Sequence, residues 1–335
     1  MTRYIGLDLL KIVATLAVVF LHTLNKYSGY SNVILYQLCS FAVPVFFMIN
    51  GYFILNKKDI SFRYISMKIV KIILVCLFWN LLRMIQRMIM GLGYYTPIQE
   101  TINIFFEQSG FFFQFWFFGS LIMIYILLPI LHKIHQYRKI DRYFMISLIL
   151  LCLFIHFIDM YSSYKIGTSF FLEHIKQPLR IWTWITYFYL GGFIKIYSQY
   201  FQKWSLSYSF LFLLILSLVN VVYQVKIGQY LHFEWAEYFY DSLFMMLWCI
   251  SLFLFFCNDF FDHINEKLSN FITSISQMTM GCFILHIVFI VNIRSIYQYN
   301  LPYFNILIAF FIFVLCILIT FILKKIPLVR HTVSI

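Results

Sequence analysis

Apolar stretches of about 20 residues recur from one end of the chain to the other, and they leave it few ways to fold. That is the length a helix needs to cross roughly 30 Å of hydrocarbon. Lipid offers backbone N–H and C=O groups no partners, so only helices and closed barrels span it. The stretches lie near residues 5–25, 33–55, 67–89, 111–131, 143–160, 180–198, 206–224, 239–257, 275–295 and 303–323. Segment 95–110 is too polar to span and is expected at an interface. The first stretch is expected to be an uncleaved helix: no small-residue cleavage site follows it, and nine further apolar stretches do. The expected fold is an all-α polytopic membrane protein with about ten transmembrane helices. No repeat, low-complexity segment or linker divides residues 1–335, so a single domain is expected.

Composition closes the alternatives. Charged residues make up 11% of the chain, against roughly 25% in soluble domains, while 62% of it is apolar. Such a chain cannot cover itself in water, which excludes a soluble enzyme, a disordered tail, a coiled coil and collagen. The net charge of +12 does not indicate nucleic acid, because the basic residues lie between apolar runs and not on one compact face. They read as topology signals and contacts to anionic lipid. With the N-terminus inside, the inner segments hold Arg3, Lys57, Lys58, Arg63, Lys68, Lys71, Lys133, Arg138, Lys139, Arg142, Lys195, Lys203, Lys267, Lys324, Lys325 and Arg330. The outer ones hold only Lys26, Arg83, Arg87, Lys165, Lys176, Arg180, Lys226 and Arg294. Both termini are therefore expected in the cytoplasm. Seven cysteines form no CxxC pair and lie mostly within apolar stretches, the usage of small hydrophobes. His132 and His135 form an isolated HxxH with no carboxylate between them, expected on a solvated loop and not at a metal.

Ionisable side chains inside a span are costly, so each is a functional hypothesis. The first apolar stretch holds three, Asp8, Lys11 and His22. Asp8 and Lys11, three apart, share a helix face and can neutralise each other. Lys11 and His22, eleven apart, return to within about 20° of one face with a rise of roughly 16 Å. The helix thus presents a cation near the cytoplasmic surface and an imidazole deep on one stripe. Against this stands a bland reading: a snorkelling lysine, its paired aspartate, and a satisfied histidine near the outer headgroups.

The wording of that stretch separates the two. Asp8-Leu9-Leu10-Lys11, then ten residues and His22, resembles the opening signature of the acyltransferase-3 family of bacterial membrane acyltransferases. Further phrases follow in family order. Phe46-Phe47-Met48-Ile49-Asn50-Gly51-Tyr52-Phe53-Ile54 resembles its second-helix phrase, and Lys68 with Lys71 its third-helix basic pair. Trp116-Phe117-Phe118 with Tyr125 and Pro129 is similar to its fourth helix, and Thr279-Met280-Gly281-Cys282-Phe283-Ile284-Leu285-His286 to its late phrase ending in His. The chain departs from the pattern at Gln114, where many members carry a histidine, and at 11, 68 and 71, where lysine replaces arginine. Lysine keeps the charge but loses the bidentate fork. No fused esterase-like domain, as some members carry, is expected after Lys325.

The resemblance implies a multi-pass protein of the bacterial plasma membrane that transfers an acyl group, usually acetyl from acetyl-CoA. The acceptor would be a hydroxyl on a capsule, exopolysaccharide, wall polymer or lipid-linked glycan, and no metal is expected. Lys11, Lys68 and Lys71 would ring a cytoplasmic mouth for the phosphates. The pantetheine arm would reach His22, acting as general base or as acyl-imidazole nucleophile. Asp8 lies about 21 Å along the helix from His22, too far to orient it, and is assigned to holding Lys11. His286 is expected to pack or to relay a proton, Trp116 to serve the interfacial belt and helix packing, with sugar stacking as the lesser reading, and Asn50 to mark a close helix approach. Glu173, His174, Glu234 and Glu237 fall on expected outer loops, where they are solvated or bind acceptor hydroxyls. An exporter of adhesive polysaccharide is the alternative, and paired broken helices at matching positions of two halves would be its mark.

Overall fold

The computed structural model describes residues 4–24, 30–231, 239–294 and 302–334, and among them every regular element is a helix. In chain order these are α1 (Ile5–Thr23), α2 (Tyr30–Leu38), α3 (Ala42–Ile54), α4 (Phe62–Ile89) and α5 (Pro97–Glu107). There follow α6 (Trp116–Gln136), α7 (Arg138–Ile166), α8 (Phe170–His174), α9 (Ile181–Phe201) and α10 (Leu206–Leu231). The last are α11 (Leu243–Phe256), α12 (Glu266–Ser276), α13 (Thr279–Arg294) and α14 (Pro302–Lys325). The chain is thus an all-α polytopic membrane protein, as its apolar pattern requires.

Eight spans among the described residues are long and apolar enough to cross a membrane, and the α12–α13 pair, bent by 51°, makes a ninth. The second is interrupted at 39–41, between α2 and α3. The tenth expected span is α9, whose threonines, tyrosines and glycines make it less apolar than the others. The fold accounts for that polarity, because α9 runs among α3, α6, α7 and α11 and no residue of 181–198 is fully exposed. Segment 95–110 forms the short amphipathic α5, opened by Pro97 at its first position and packed on α4 and α6.

The α3–α9 contact is the tightest in the molecule. A Cβ on Gly51 would run into the backbone carbonyl of Phe188, and one on Gly191 into that of Met48. Glycine therefore lets the two backbones touch, the means by which helices associate where lipid is as apolar as leucine. Below this contact Asn56 Nδ2 donates to the Gly192 carbonyl at 2.9 Å.

The bundle's expected cytoplasmic end is clasped by polar side chains. His132 and His135 are buried within α6 and not on a solvated loop, which corrects the reading of the HxxH pair. His132 Nε2 donates to the Lys57 carbonyl at 2.8 Å, and His135 Nδ1 lies 2.9 Å from Asp141 Oδ1. Tyr189 of α9 donates its hydroxyl to the same Asp141 oxygen. These bonds tie α3, α6, α7 and α9 together. No group of three potential metal ligands occurs among the described residues.

At the other end, Asp159 Oδ1 accepts the Phe171 amide at 2.6 Å, while Arg180 donates to the Leu172 and Ile175 carbonyls at 3.1 Å each. Glu173 and His174 are committed to this local structure, bonded to the Ser169 amide and the Phe170 carbonyl. Glu234 and Glu237 lie outside the described residues.

Because the α3 and α9 backbones touch, Gly191→Ala should lower stability by about 2 kcal/mol, the cost of overpacking a filled core. Thermal unfolding of the detergent-solubilised protein measures this, with Met90→Ala, at an exposed helix end, expected to leave the midpoint unchanged.

Candidate active site

The lower part of α1 is an ion-pair anchor. Asp8, 4% exposed, accepts from Lys11 Nζ at 3.1 Å and from Ser276 Oγ of α12 at 2.7 Å. An ammonium and a neutral hydroxyl donor thus fix a carboxylate that would otherwise be stranded in the protein interior. Lys11 also lies 5.5 Å from the centre of the Phe53 ring.

The three lysines expected to ring one mouth stand in two groups. Half-buried Lys68 feels the charges of Lys71 and Lys57, and Lys57 Nζ sits 3.8 Å above the Tyr64 ring. Lys11 belongs to the other group, against Phe53. Phe53, in the last turn of α3, and Lys57, just past its end at Ile54, lie between them in sequence.

Toward the far end of α1, His22 faces α13. Its ring stacks on that of His286 at 5.3 Å and 24°, and the Phe113 ring meets it edge-on at 5.1 Å. His286 is fully buried, and its Nδ1 lies 3.1 Å from the Cys282 carbonyl oxygen. A carbonyl can only accept, so the proton sits on Nδ1 and Nε2 keeps its lone pair. That Nε2 has no hydrogen-bond partner among the described residues. Beside it Gln114, on the turn Phe113–Phe115, donates from Nε2 to the Ile284 carbonyl at 3.4 Å, and its Oε1 is likewise buried without a partner. Two buried acceptors, one imidazole and one amide, thus border the His22 site, where a buried acceptor without a donor is costly.

A line of neighbouring side chains runs from this site toward the basic end. Tyr64 stands within electrostatic range of Tyr125, whose hydroxyl donates to Asn50 Oδ1 at 3.1 Å. Asn50 Nδ2 donates to the Phe46 carbonyl at 2.8 Å, and the Phe46 ring approaches Phe283 at 6.4 Å. Phe283 in turn lies 6.0 Å from His286. Trp116 makes the helix packing expected of it. It is buried against Trp184, ring centres 5.1 Å apart, because the turn before α6 tucks its first residues into the bundle.

Sequence reasoning placed His22, Lys11 and Asp8 on one helix and marked Gln114 and Tyr125 through the family phrases, but did not pair His22 with His286, nor bring Phe113 to its ring. The available signal was the late phrase ending in His286. Helix depth along two separate spans does not say which faces meet.

Removing the Asp8 charge should cost about 1–3 kcal/mol, since two donors lose an ionised acceptor. In a thermal-unfolding double-mutant cycle, Asp8→Asn with Lys11→Gln should be less damaging than the two single losses added, by about 0.5 kcal/mol or more.

Residues 4–325 match the family model described as an acyltransferase domain. No curated protein and no solved structure matches the chain. The matched span takes in the anchor at Asp8 and Lys11, the basic groups beside α3 and the paired imidazoles. A helical bundle that holds such groups within lipid, and that fits this family over nearly its whole length, belongs to the acyltransferase-3 family: the chain is a membrane acyltransferase.

Proposed function

We propose that the protein transfers an acetyl group from cytoplasmic acetyl-CoA to a hydroxyl of a cell-surface or lipid-linked glycan at the bacterial plasma membrane. The observation that carries this reading is the His22–His286 stack with its unpartnered ring nitrogen. His22 takes the proton of the glycan hydroxyl as that oxygen attacks the thioester carbonyl carbon. The carbon–sulfur bond breaks, the proton passes to the departing thiolate, and free CoA leaves. The Nε2 lone pair of His286 gives a proton, or a hydroxyl, a second acceptor inside an apolar enclosure. Phe113, edge-on to His22, fixes the ring's position.

The donor's phosphates stay among the lysines at the cytoplasmic end. Lys11 and His22 are eleven helical residues apart, a rise of about 16 Å. An extended pantetheine arm covers about that span, and the Asn50–Phe46–Phe283 line runs alongside it. An exporter would instead show broken helices at matching positions of two halves. Here one break falls inside a full span at 39–41, and the other joins α13 to α12, a mostly exposed amphipathic helix. The enzyme reading is the better supported.

The test is transfer of radiolabel from acetyl-CoA to candidate glycans by the purified, reconstituted protein. His22→Ala should lower the rate by at least about 10²-fold, the benefit typical of a positioned base. His286→Ala should lower kcat and leave the KM for acetyl-CoA near that of the unaltered protein. Transfer by His22→Ala at the unaltered rate would overturn the assignment.

A further inference from the structure

We propose that Lys195 is a second phosphate-binding residue, and that Lys195 and Lys11 together grip the phosphates of the donor nucleotide over a collar formed by Tyr4, Tyr52 and Phe53. This rests on the donor reading above and adds a residue that the sequence marks only as a topology charge.

Lys195, on α9, is half-buried, and its Nζ lies 4.9 Å from the Tyr52 ring centre, 5.7 Å from Phe53 and 5.8 Å from Tyr4. Lys11 Nζ, from α1, stands 5.5 Å from that same Phe53 ring. Two ammonium groups from different helices therefore converge on one phenyl ring. The Lys11 charge is met by Asp8, whereas Lys195 has no carboxylate at ion-pair distance among the described residues. Ring faces attract a cation by about 0.5–2 kcal/mol, which holds the ammoniums in place but leaves their charge uncancelled. Two converging cations with one carboxylate between them form a site for a further anion, and the protruding oxygens of a phosphate ester suit two ammonium donors.

A phosphate ester here has two sources, a nucleotide or an anionic lipid headgroup. The place favours the nucleotide. Tyr52 is 1% exposed, abuts Tyr4 at 5.6 Å and Phe253 of α11 at 5.6 Å, and belongs to the central α3–α9 pair. A headgroup would bind at the bundle's perimeter. The same collar lies at the end of α1 from which the Lys11–His22 stripe starts, where the nucleotide end of the donor has to rest if its thioester is to reach His22.

The experiment uses the full chain in nanodiscs of zwitterionic lipid, with calorimetric titration of CoA and of adenosine 3′,5′-bisphosphate. Lys195→Gln should weaken CoA binding about tenfold or more, the loss of one charge-assisted contact, and Lys195→Arg should restore most of it. In the transfer assay Lys195→Gln should raise the KM for acetyl-CoA and leave the KM for the glycan unchanged. If Lys195→Gln binds CoA as the unaltered protein does while Lys11→Gln does not, the Lys195 assignment is wrong and the donor reading stands. If the unaltered protein binds neither probe, the donor reading falls and takes this proposal with it. If Lys195→Gln matters only in nanodiscs with anionic lipid, the residue holds a headgroup and the proposal is overturned. A monodisperse gel-filtration profile for each variant excludes misfolding as the cause.

Discussion

The backbone contact between α3 and α9 is what the remaining architecture is built on. Neither helix gains from the hydrophobic effect by leaving lipid for protein, so close packing of main chains has to supply the attraction. Gly51 and Gly191 make that possible, each placed against a carbonyl of the other helix. Once the pair is docked, the polar face of α9 is hidden from lipid, and Tyr189 and the Gly192 carbonyl become partners for Asp141 and Asn56. The clasp around His132 and His135 then follows from the same geometry.

Docking of that pair also decides what the functional region looks like. The α3 residues Phe46, Asn50 and Phe53 recur at intervals of four and three, so they share one stripe, and Lys57 follows just past the helix end. Along it lie Phe283, Tyr125, Lys11 and Tyr64, contributed by α13, α6, α1 and α4. One helix thus acts as a rail between the lysines and the imidazoles. Asp8 supports it from the other side, using Ser276 to seat α12 against the start of α1.

Burial of polar groups is handled in two opposite ways within the bundle. Some are matched: Asp8, Asp159 and Arg180 each bond several donors or acceptors, while others away from the site, among them Asn80 Oδ1, Asp141 Oδ2 and Asn220 Oδ1, have no hydrogen-bond partner among the described residues. Near His22 the balance is left open, with lone pairs on His286 Nε2 and Gln114 Oε1 that no described group fills. An unfilled acceptor in an apolar interior is tolerated when something polar is meant to arrive there, and a reacting hydroxyl is such a group.

Length and hydropathy alone established the helical membrane fold, because lipid permits a chain this apolar almost nothing else. Local spacing was equally direct: Asp8 and Lys11 lie one turn apart, and a helix brings them together whatever surrounds it. The phrases around His22, Asn50 and His286 carried the family. Pairings across helices were not legible, since periodicity gives a face but not its neighbour. His22 on His286, Lys195 beside Lys11 over Phe53, and Trp116 on Trp184 are each decided by the rotation and depth of separate helices. The threonines, tyrosines and glycines of α9 find their place only in the fold, where no residue of 181–198 is fully exposed.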